Sequence, residues 1–156
     1  MKKALEWLEK YRMIEKEEKI TVGVSGGADS ICLLFVLKSY QQQHPFSMEV
    51  VHVEHGIRGK ESLEDAAFVR TVCEGLGVPF HLEQVDVKEL ARREGQSLEE
   101  AGRMARYRAF EKWREKTGAF KTAVAHNADD QAETILWNLI RGTGLKGLGG
   151  ILPVNG

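Results

Sequence analysis

Residues 20–37 form the segment that most constrains how this chain can fold. The apolar stretch Ile20–Val24 has the composition of a buried strand, and the apolar run Ile31–Leu37 is long enough for a buried helix. Between them lies Ser25-Gly26-Gly27-Ala28-Asp29-Ser30. Glycines allow the backbone to approach an anion closely, and the free N–H groups of the first helical turn point towards it. The pattern of strand, glycine turn and helix therefore predicts a phosphate-binding loop, to which the hydroxyls of Ser25 and Ser30 add donors.

The loop differs from the Walker A type, because no lysine follows its glycines and because it contains a carboxylate. A carboxylate repels phosphate, so Asp29 requires its own explanation. One interpretation is that Asp29 stabilises the positive end of the helix dipole. The other is that Asp29 helps to bind Mg²⁺, which bridges to phosphate oxygens. We favour the magnesium interpretation because the loop already supplies donors for the anion.

Predicted strands and helices alternate along the chain. An amphipathic helix is predicted at 2–17, strands near 20–24, 48–53, 80–85 and 121–125, and further helices near 29–43, 61–76, 97–117 and 128–141. Ser97 and Glu100 have the spacing of a capping box at one helix start. Repeated strand–helix units predict an α/β fold in which a parallel sheet carries helices on both faces, with right-handed crossovers.

Length and composition are typical of about one domain. The chain has 156 residues, of which 42% are hydrophobic, and its net charge of −1 provides no overall attraction for nucleic acid. Cys32 and Cys73 each lie within an apolar pattern and are predicted to be buried thiols in a reducing compartment, not a disulfide or a metal pair. The sequence shows no signal-peptide core and no membrane span, which predicts a cytoplasmic protein without a membrane partner.

Polar side chains follow three of the predicted strands at the point where each strand ends. The segment 25–30 follows the first strand, 55–59 follows the second and 126–133 follows the fourth. In parallel sheets ligands bind beyond the carboxyl ends of the strands. The coincidence therefore predicts an active site at this edge of the sheet.

His126, Asp130 and Glu133 are spaced at i, i+4 and i+7. If a helix begins near Asn127, Asp130 and Glu133 share one face and His126 lies at its start. Acidic residues also occur at helix starts for structural reasons alone, and this spacing is weak support for zinc. A pair of carboxylates is equally a suitable pocket for an ammonium group.

Arg103 and Arg106 lie three residues apart on one predicted helix face, beside Tyr107. A solvated face with a Glu99–Arg103 ion pair is the structural interpretation. The surrounding helix is modestly basic, and together with Arg58 it offers a surface for the phosphates of ATP or RNA.

Four motifs in order resemble one family of enzymes. Ser-Gly-Gly-x-Asp-Ser after the first strand is similar to the PP-loop of the N-type ATP pyrophosphatases. The second motif covers Val51–Gly59 with Ser62 and Asp65, the third Ser97–Tyr107, and the fourth Ala125–Thr134 with Arg141–Leu148. From about Ile20 onwards the chain resembles the N-terminal PP-loop domain of the bacterial tRNA(Ile)-lysidine synthetases.

The resemblance implies an ATP-dependent ligase that uses Mg²⁺. Such an enzyme adenylates the C2 oxygen of the wobble cytidine in tRNA(Ile) with a CAU anticodon, releases pyrophosphate, and joins free L-lysine with loss of AMP. By matching motif positions, the resemblance implies ATP binding by Ser25, Gly26, Gly27, Ala28, Asp29, Ser30, Val53, His55 and Arg58, with Asp29 also holding the metal. It implies lysine binding by His126, Asp130 and Glu133, and catalytic roles for Asp29, Arg106 and Asp130, with Arg106 stabilising the charge that builds up during adenylation.

The family continues beyond the position of Gly156 with another strand and with domains that recognise tRNA. We therefore expect residues 1–156 to form an N-terminal ATP-binding catalytic domain that is incomplete at its C-terminus. Its fourth strand would then be an exposed sheet edge suited to self-association. Two other functions remain open: a PP-loop tRNA sulfur transferase, for which the chain has no C-x-x-C motif, and an ATP-binding module without turnover.

Overall fold

The computed structural model describes residues 2–56 and 60–126. Its helices are α1 (Lys2–Lys10), α2 (Ala28–Gln41), α3 (Lys60–Leu76), α4 (Val87–Glu94) and α5 (Leu98–Thr117), and its strands are β1 (Lys19–Gly23), β2 (Ser47–Glu54), β3 (Phe80–Gln84) and β4 (Lys121–Val124). These elements belong to one compact unit, residues 1–124, and residues 125–156 form a second. The helix predicted at 128–141 lies outside the described residues. Within the described ranges, no helix has both the length and the apolar composition of a membrane span.

The four strands form one parallel sheet in the order β3-β2-β1-β4. Val22 of β1 lies opposite Val50 of β2 on one side and opposite Ala123 of β4 on the other. Val50 in turn lies opposite Phe80 of β3. The prediction of a parallel sheet is confirmed, and β4 is an edge strand among the strands that the structure describes.

Helices cover both faces of the sheet, as predicted. Val50 belongs to the main hydrophobic cluster, together with Leu34 of α2 and Val69 of α3. Its neighbour Val51 points to the opposite face, because successive side chains of a strand alternate, and it packs in a separate cluster with Ala109 of α5. Helices α2 and α3 therefore lie on one face, and α5 lies on the other.

Gly23, the last residue of β1, allows α5 to pack closely on the sheet. A Cβ atom built at Gly23 would lie 2.4 Å from Cζ of Phe110 in α5. Two carbon atoms prefer a separation of about 3.5–4.0 Å. This position therefore requires glycine for space, a requirement that the local sequence pattern does not reveal.

Helix α1 is shorter than the predicted 2–17, and that prediction is wrong in length. The helix ends at Lys10, and the backbone then turns through Arg12 (φ 44°) and Glu17 (φ 66°), both in the left-handed region. The N–H of Glu17 donates to the carbonyl of Pro45 at 2.7 Å, which ties this turn to the segment before β2. The charged residues after position 10 favour helix locally, but these contacts with a distant segment determine the conformation.

Helix α4 is absent from the sequence prediction. The side chain of Asp86 caps it by accepting a hydrogen bond from the N–H of Glu89 at 3.0 Å, and Gly95 ends it with φ 64°. Leu90 is buried in a cluster with Ala101 of α5. Its buried residues Val87, Leu90 and Ala91 have helical spacing, but they are few and stand among charged residues, and the sequence analysis did not assign them to a helix.

Helix α5 begins as predicted. The Ser97 hydroxyl accepts a hydrogen bond from the N–H of Glu100 at 3.2 Å, and a Glu100 carboxylate oxygen accepts one from the N–H of Ser97 at 3.2 Å. This is a complete capping box, in which each residue satisfies a backbone donor of the other.

The two cysteines, both in the described part of the chain, are free thiols with different exposure. Cys73 is buried, and burial, with a smaller effect of Glu74, raises its pKa to about 11. Cys32 is exposed on α2. The prediction of a buried thiol is confirmed for Cys73 and wrong for Cys32. The apolar residues 31–37 occupy all sides of α2, but only one side of the helix packs against the sheet. Phe35, in the same run, is also exposed.

Candidate active site

The loop after β1 leads directly into the first turn of α2. Gly26 has φ 93°, a conformation that side-chain-bearing residues rarely adopt. Gly27 is the N-cap residue of α2 and provides no side-chain cap. The N-cap residue therefore supplies no side-chain acceptor for the first-turn N–H groups, an arrangement typical of helix starts that bind anions.

Ser25 and Ser30 hold this loop in shape. The Ser30 hydroxyl accepts from the N–H of Ser25 at 3.2 Å and donates to the carbonyl of Gly27 at 2.8 Å. Its oxygen also lies 3.2 Å from the Ser25 hydroxyl oxygen. Ser30 is buried and Ser25 is exposed. In this arrangement the proton of Ser30 is used within the loop, and Ser25 carries the hydroxyl that a ligand can reach.

Two carboxylates lie at the loop. Asp29 is exposed in the first turn of α2. Asp65 approaches from α3, since a Cβ atom at Gly26 would lie 3.6 Å from its Cβ and 3.7 Å from its Cγ. Mg²⁺ is commonly bound by one or two carboxylates together with substrate phosphates and water. This donor set therefore fits a magnesium ion that arrives with a nucleotide. Within residues 2–56 and 60–126, no group of three or more metal-ligating side chains forms a protein-only cage.

Strand β2 ends beside this loop. The N–H of Val24 donates to the carbonyl of Val51 at 3.1 Å, which fixes the end of β1 against β2. Val53 packs its side chain into the cluster under α5. Glu54 is buried, and its carboxylate accepts a hydrogen bond from the N–H of Gly56 at 2.7 Å. Glu54 thus shapes the turn that carries His55, a role that the sequence analysis did not assign.

Helix α5 brings Arg106 to the same region. Burial is the main cause that lowers the pKa of His55, and the positive charge of Arg106 lowers it further, against the opposing effect of Glu54. Gly102 lies one turn before Arg106, and a Cβ atom there would be 4.0 Å from Nδ1 and Cε1 of His55. His55 is therefore held neutral at pH 7 between β2 and α5.

Arg103 stacks on an aromatic ring of its own helix. Its guanidinium lies 5.4 Å from the ring centroid of Tyr107. Tyr107 is half exposed, so this pair forms part of the surface of α5.

Four of the sequence-predicted site residues stay untested in position. Arg58, Asp130 and Glu133 are outside the described residues, and His126, the last residue described, is exposed and belongs to the second unit. Asp65 and Glu54 were not among the predicted site residues. Asp65 stands in the second motif, which was the available signal.

A family comparison now identifies the class of domain. Residues 1–155 match the family model described as PP-loop domain. The chain belongs to the PP-loop domain family. Membership implies ATP binding, and the matched residues include the whole of the glycine loop.

Three curated relatives that this chain matches share the same name. The chain is 49% identical over 156 residues to the tRNA(Ile)-lysidine synthase of Caldanaerobacter subterraneus subsp. tengcongensis, covering all of this chain and 33% of that protein. It is 42% identical over 149 residues to the synthase of Clostridioides difficile, covering 96% of this chain and 32% of that protein. It is 46% identical over 147 residues to the synthase of Clostridium acetobutylicum, covering 94% of this chain and 32% of that protein. This chain thus spans about a third of the length of the curated relatives that it matches.

Two solved structures share the fold. The U34-tRNA thiolase NcsA from Methanococcus maripaludis, solved with its [4Fe-4S] cluster, superposes with a TM-score of 0.76 at 23% identity, covering 93% of this chain and 52% of that chain. The NH3-dependent NAD synthetase from Campylobacter jejuni superposes with a TM-score of 0.60 at 17% identity, covering 87% of this chain and 58% of that chain. At such identities the likeness supports the three-layer α/β fold of the PP-loop domain and nothing finer.

Proposed function

We propose that this chain is the ATP-binding, adenylating domain of a tRNA(Ile)-lysidine synthase. The observation that carries the proposal is its sequence identity to synthases of that name over nearly the whole chain. In the proposed reaction the C2 oxygen of the wobble cytidine in tRNA(Ile) with a CAU anticodon attacks the α-phosphorus of ATP, and pyrophosphate leaves. The side-chain amine of free L-lysine then attacks C2, the C2–O bond breaks, and AMP leaves.

The glycine loop would hold the phosphate end of ATP. Gly26 and Ala28 would offer backbone N–H groups at the start of α2, while Ser30 keeps the loop in shape. The N–H of Gly27 donates to the Ser25 hydroxyl at 3.4 Å, a long hydrogen bond that both groups would exchange for phosphate oxygens. Asp29 would bind Mg²⁺, and Asp65, which packs against Gly26 from α3, is a second candidate carboxylate for the ion. When bound, the metal ion neutralises charge on the phosphate oxygens and orients the leaving pyrophosphate.

The end of β2, from Val53 to His55, would border the adenosine, and Arg58 would reach substrate or phosphate. Arg106 would stabilise the negative charge that grows on the phosphate during adenylation, because a fixed positive charge acts without reorganising. The proposed chemistry needs no protein nucleophile, so these residues act by positioning and electrostatics.

Lysine would bind through Asp130 and Glu133, whose carboxylates suit its ammonium group, with His126 nearby in sequence. This assignment rests on the residue types and on the fourth motif. Since the substrates are a transfer RNA and a free amino acid, we place the reaction in the cytoplasm.

The substitution Asp29→Asn tests the metal role, because it removes the charge of Asp29 and keeps its shape. We expect MgATP to bind about 10- to 100-fold more weakly, the effect of losing a charged contact of 1.5–3 kcal/mol. Isothermal titration with and without Mg²⁺ measures this. Glu64→Gln, an equal charge change at an exposed position of α3, is the matched control and should bind like the wild type. A lower melting temperature with unchanged Mg²⁺-dependent affinity would instead support the helix-dipole interpretation.

A PP-loop tRNA sulfur transferase is the second candidate, favoured by the fold shared with the tRNA thiolase. Residues 1–156 contain no C-x-x-C motif, and of their two cysteines one is exposed on α2 and one is buried in α3. The identity of 42–49% to three synthases, against 23% to the thiolase, favours the ligase. A module that binds ATP without turnover is distinguished by its lack of products.

A further inference from the structure

The two ring nitrogens of His55 have different surroundings. Nδ1 is buried and has no hydrogen-bond partner in the described part of the chain, whereas Nε2 is not among the buried atoms without a partner. The Nδ1 edge faces α5, at the position where a Cβ atom on Gly102 would lie 4.0 Å away. The Nδ1–Cε1 edge of the His55 ring therefore packs against α5, and since no hydrogen bond to either ring nitrogen occurs within the described residues, Nε2 is the nitrogen left as a candidate contact for a ligand.

This asymmetry selects one tautomer. A buried N–H without an acceptor is rarer and more costly than a bare acceptor atom. Nδ1 is therefore bare, and the single ring proton is on Nε2. A second proton would create an unpaired N–H against α5 and add charge near Arg106. Burial and Arg106, with a small contribution from His52, lower the pKa of His55 and outweigh the opposing charge of Glu54.

We propose that His55 is a positioning residue that remains neutral and donates its Nε2–H to an uncharged acceptor on the base or ribose of the bound nucleotide. The proposal rests on the proposed function, because the phosphates must occupy the loop at 25–30 for the nucleoside to reach the end of β2. A neutral donor is directional and does not compete with the loop for the phosphate charge, as an imidazolium would. It therefore orients the adenosine while the triphosphate stays at the start of α2.

The tautomer is tested without any ligand. Long-range ¹H–¹⁵N NMR of the labelled protein at pH 7 should show His55 as the Nε2–H form, with Nδ1 unprotonated. Titration to lower pH should show that its ring protonates below the ordinary pKa of histidine, about 6.5. An Nδ1–H form, or a ring charged at pH 7, overturns the proposal whatever the outcome for ATP.

Two substitutions at His55 test the donor. The amide nitrogen of a glutamine reaches the position of Nε2, and that of an asparagine reaches only the position of Nδ1. His55→Gln should keep ATP affinity within about threefold of the wild type, and His55→Asn should lose about tenfold, the effect of one hydrogen bond. Both variants should bind inorganic pyrophosphate as the wild type does. Equal losses in the two variants, or no loss in either, overturn the proposed donor role. A wild-type protein that binds no ATP contradicts the proposed function, and the NMR result then decides the tautomer by itself.

Discussion

At the scale of single residues, close packing between β1 and α5 depends on the missing side chain of Gly23. Gly23→Ala forces the Phe110 ring to move, because the new methyl carbon would lie 2.4 Å from Cζ. Overpacking of this kind costs about 1–3 kcal/mol. Urea denaturation should show a loss of stability of that size.

Gly75 in α3 provides the matched control for this prediction. A Cβ atom there has no neighbour within 4 Å, so Gly75→Ala adds only helix propensity and should raise stability by about 0.5–1 kcal/mol. Adding Phe110→Leu to Gly23→Ala should restore part of the lost stability. If both glycine substitutions changed stability in the same direction, the explanation from packing would be wrong.

The roles of single residues were predictable only where a motif contains them. The glycine loop was recognised because strand, loop and helix start are consecutive in sequence. Gly23 depends on its contact with Phe110 of α5, which is distant in sequence, and no local pattern indicates it. Glu54 and Asp65 both stand in the second motif, but the hydrogen bond of Glu54 to Gly56 and the approach of Asp65 to Gly26 are visible only in the structure.

At the scale of elements, Glu49 connects the three strands β1, β2 and β3. Its carboxylate forms a salt bridge with Lys19 of β1 and contacts Nε2 of His81 in β3 at 2.6 Å. The His81 ring stacks on Trp113 of α5, with ring centroids 4.1 Å apart. Burial by itself would raise the pKa of Glu49, but the hydrogen bonds from Lys19 and His81 together outweigh it and lower the pKa.

The lowered pKa of Glu49 gives stability a defined pH dependence. Because the folded pKa is below the unfolded value, ionised Glu49 stabilises the protein above its ordinary carboxyl pKa, and this contribution is lost as pH falls through the lowered one. Glu49→Gln should reduce the free energy of unfolding by about 1–3 kcal/mol at pH 7, and its difference from wild type should shrink below about pH 4. Urea denaturation at several pH values measures both. Glu111→Gln, which breaks a pair with Arg114 on the outer surface of α5, should have little effect at any pH, because Glu111 is exposed to solvent. An equal loss in this variant would show that the effect at Glu49 does not come from its partly buried ion pair.

The sequence predicted the long elements better than the short ones. All four described strands and helices α2, α3 and α5 lie near their predicted positions. Apolar runs indicated β1 and α2, and the capping box indicated the start of α5. Helix α4 was missed because its few apolar residues stand among charged ones, and α1 was overextended because local propensity could not show the contact of Glu17 with Pro45.

At the scale of the whole molecule, the two thiols report on different events. Cys32 is exposed, while Cys73 is buried and its pKa is raised to about 11. Iodoacetamide at pH 8 should label Cys32 rapidly, whereas Cys73 should react only at the rate at which the fold opens. Mass spectrometry of the wild type and of Cys32→Ser follows each thiol separately. Rapid labelling of Cys73 in the native protein would show that the reagent reaches this thiol without unfolding, and thus that the hydrophobic cluster around it does not exclude solvent.

If the proposed function is correct, the protein splits ATP between the α- and β-phosphates. The direct measurement is to incubate the protein with α-³²P-labelled ATP, Mg²⁺, L-lysine and a tRNA(Ile) transcript with a CAU anticodon, and to separate the labelled products. We expect labelled AMP that depends on both the transcript and lysine, with an equal amount of pyrophosphate, which carries no label and is measured separately. Labelled ADP as the product would contradict it.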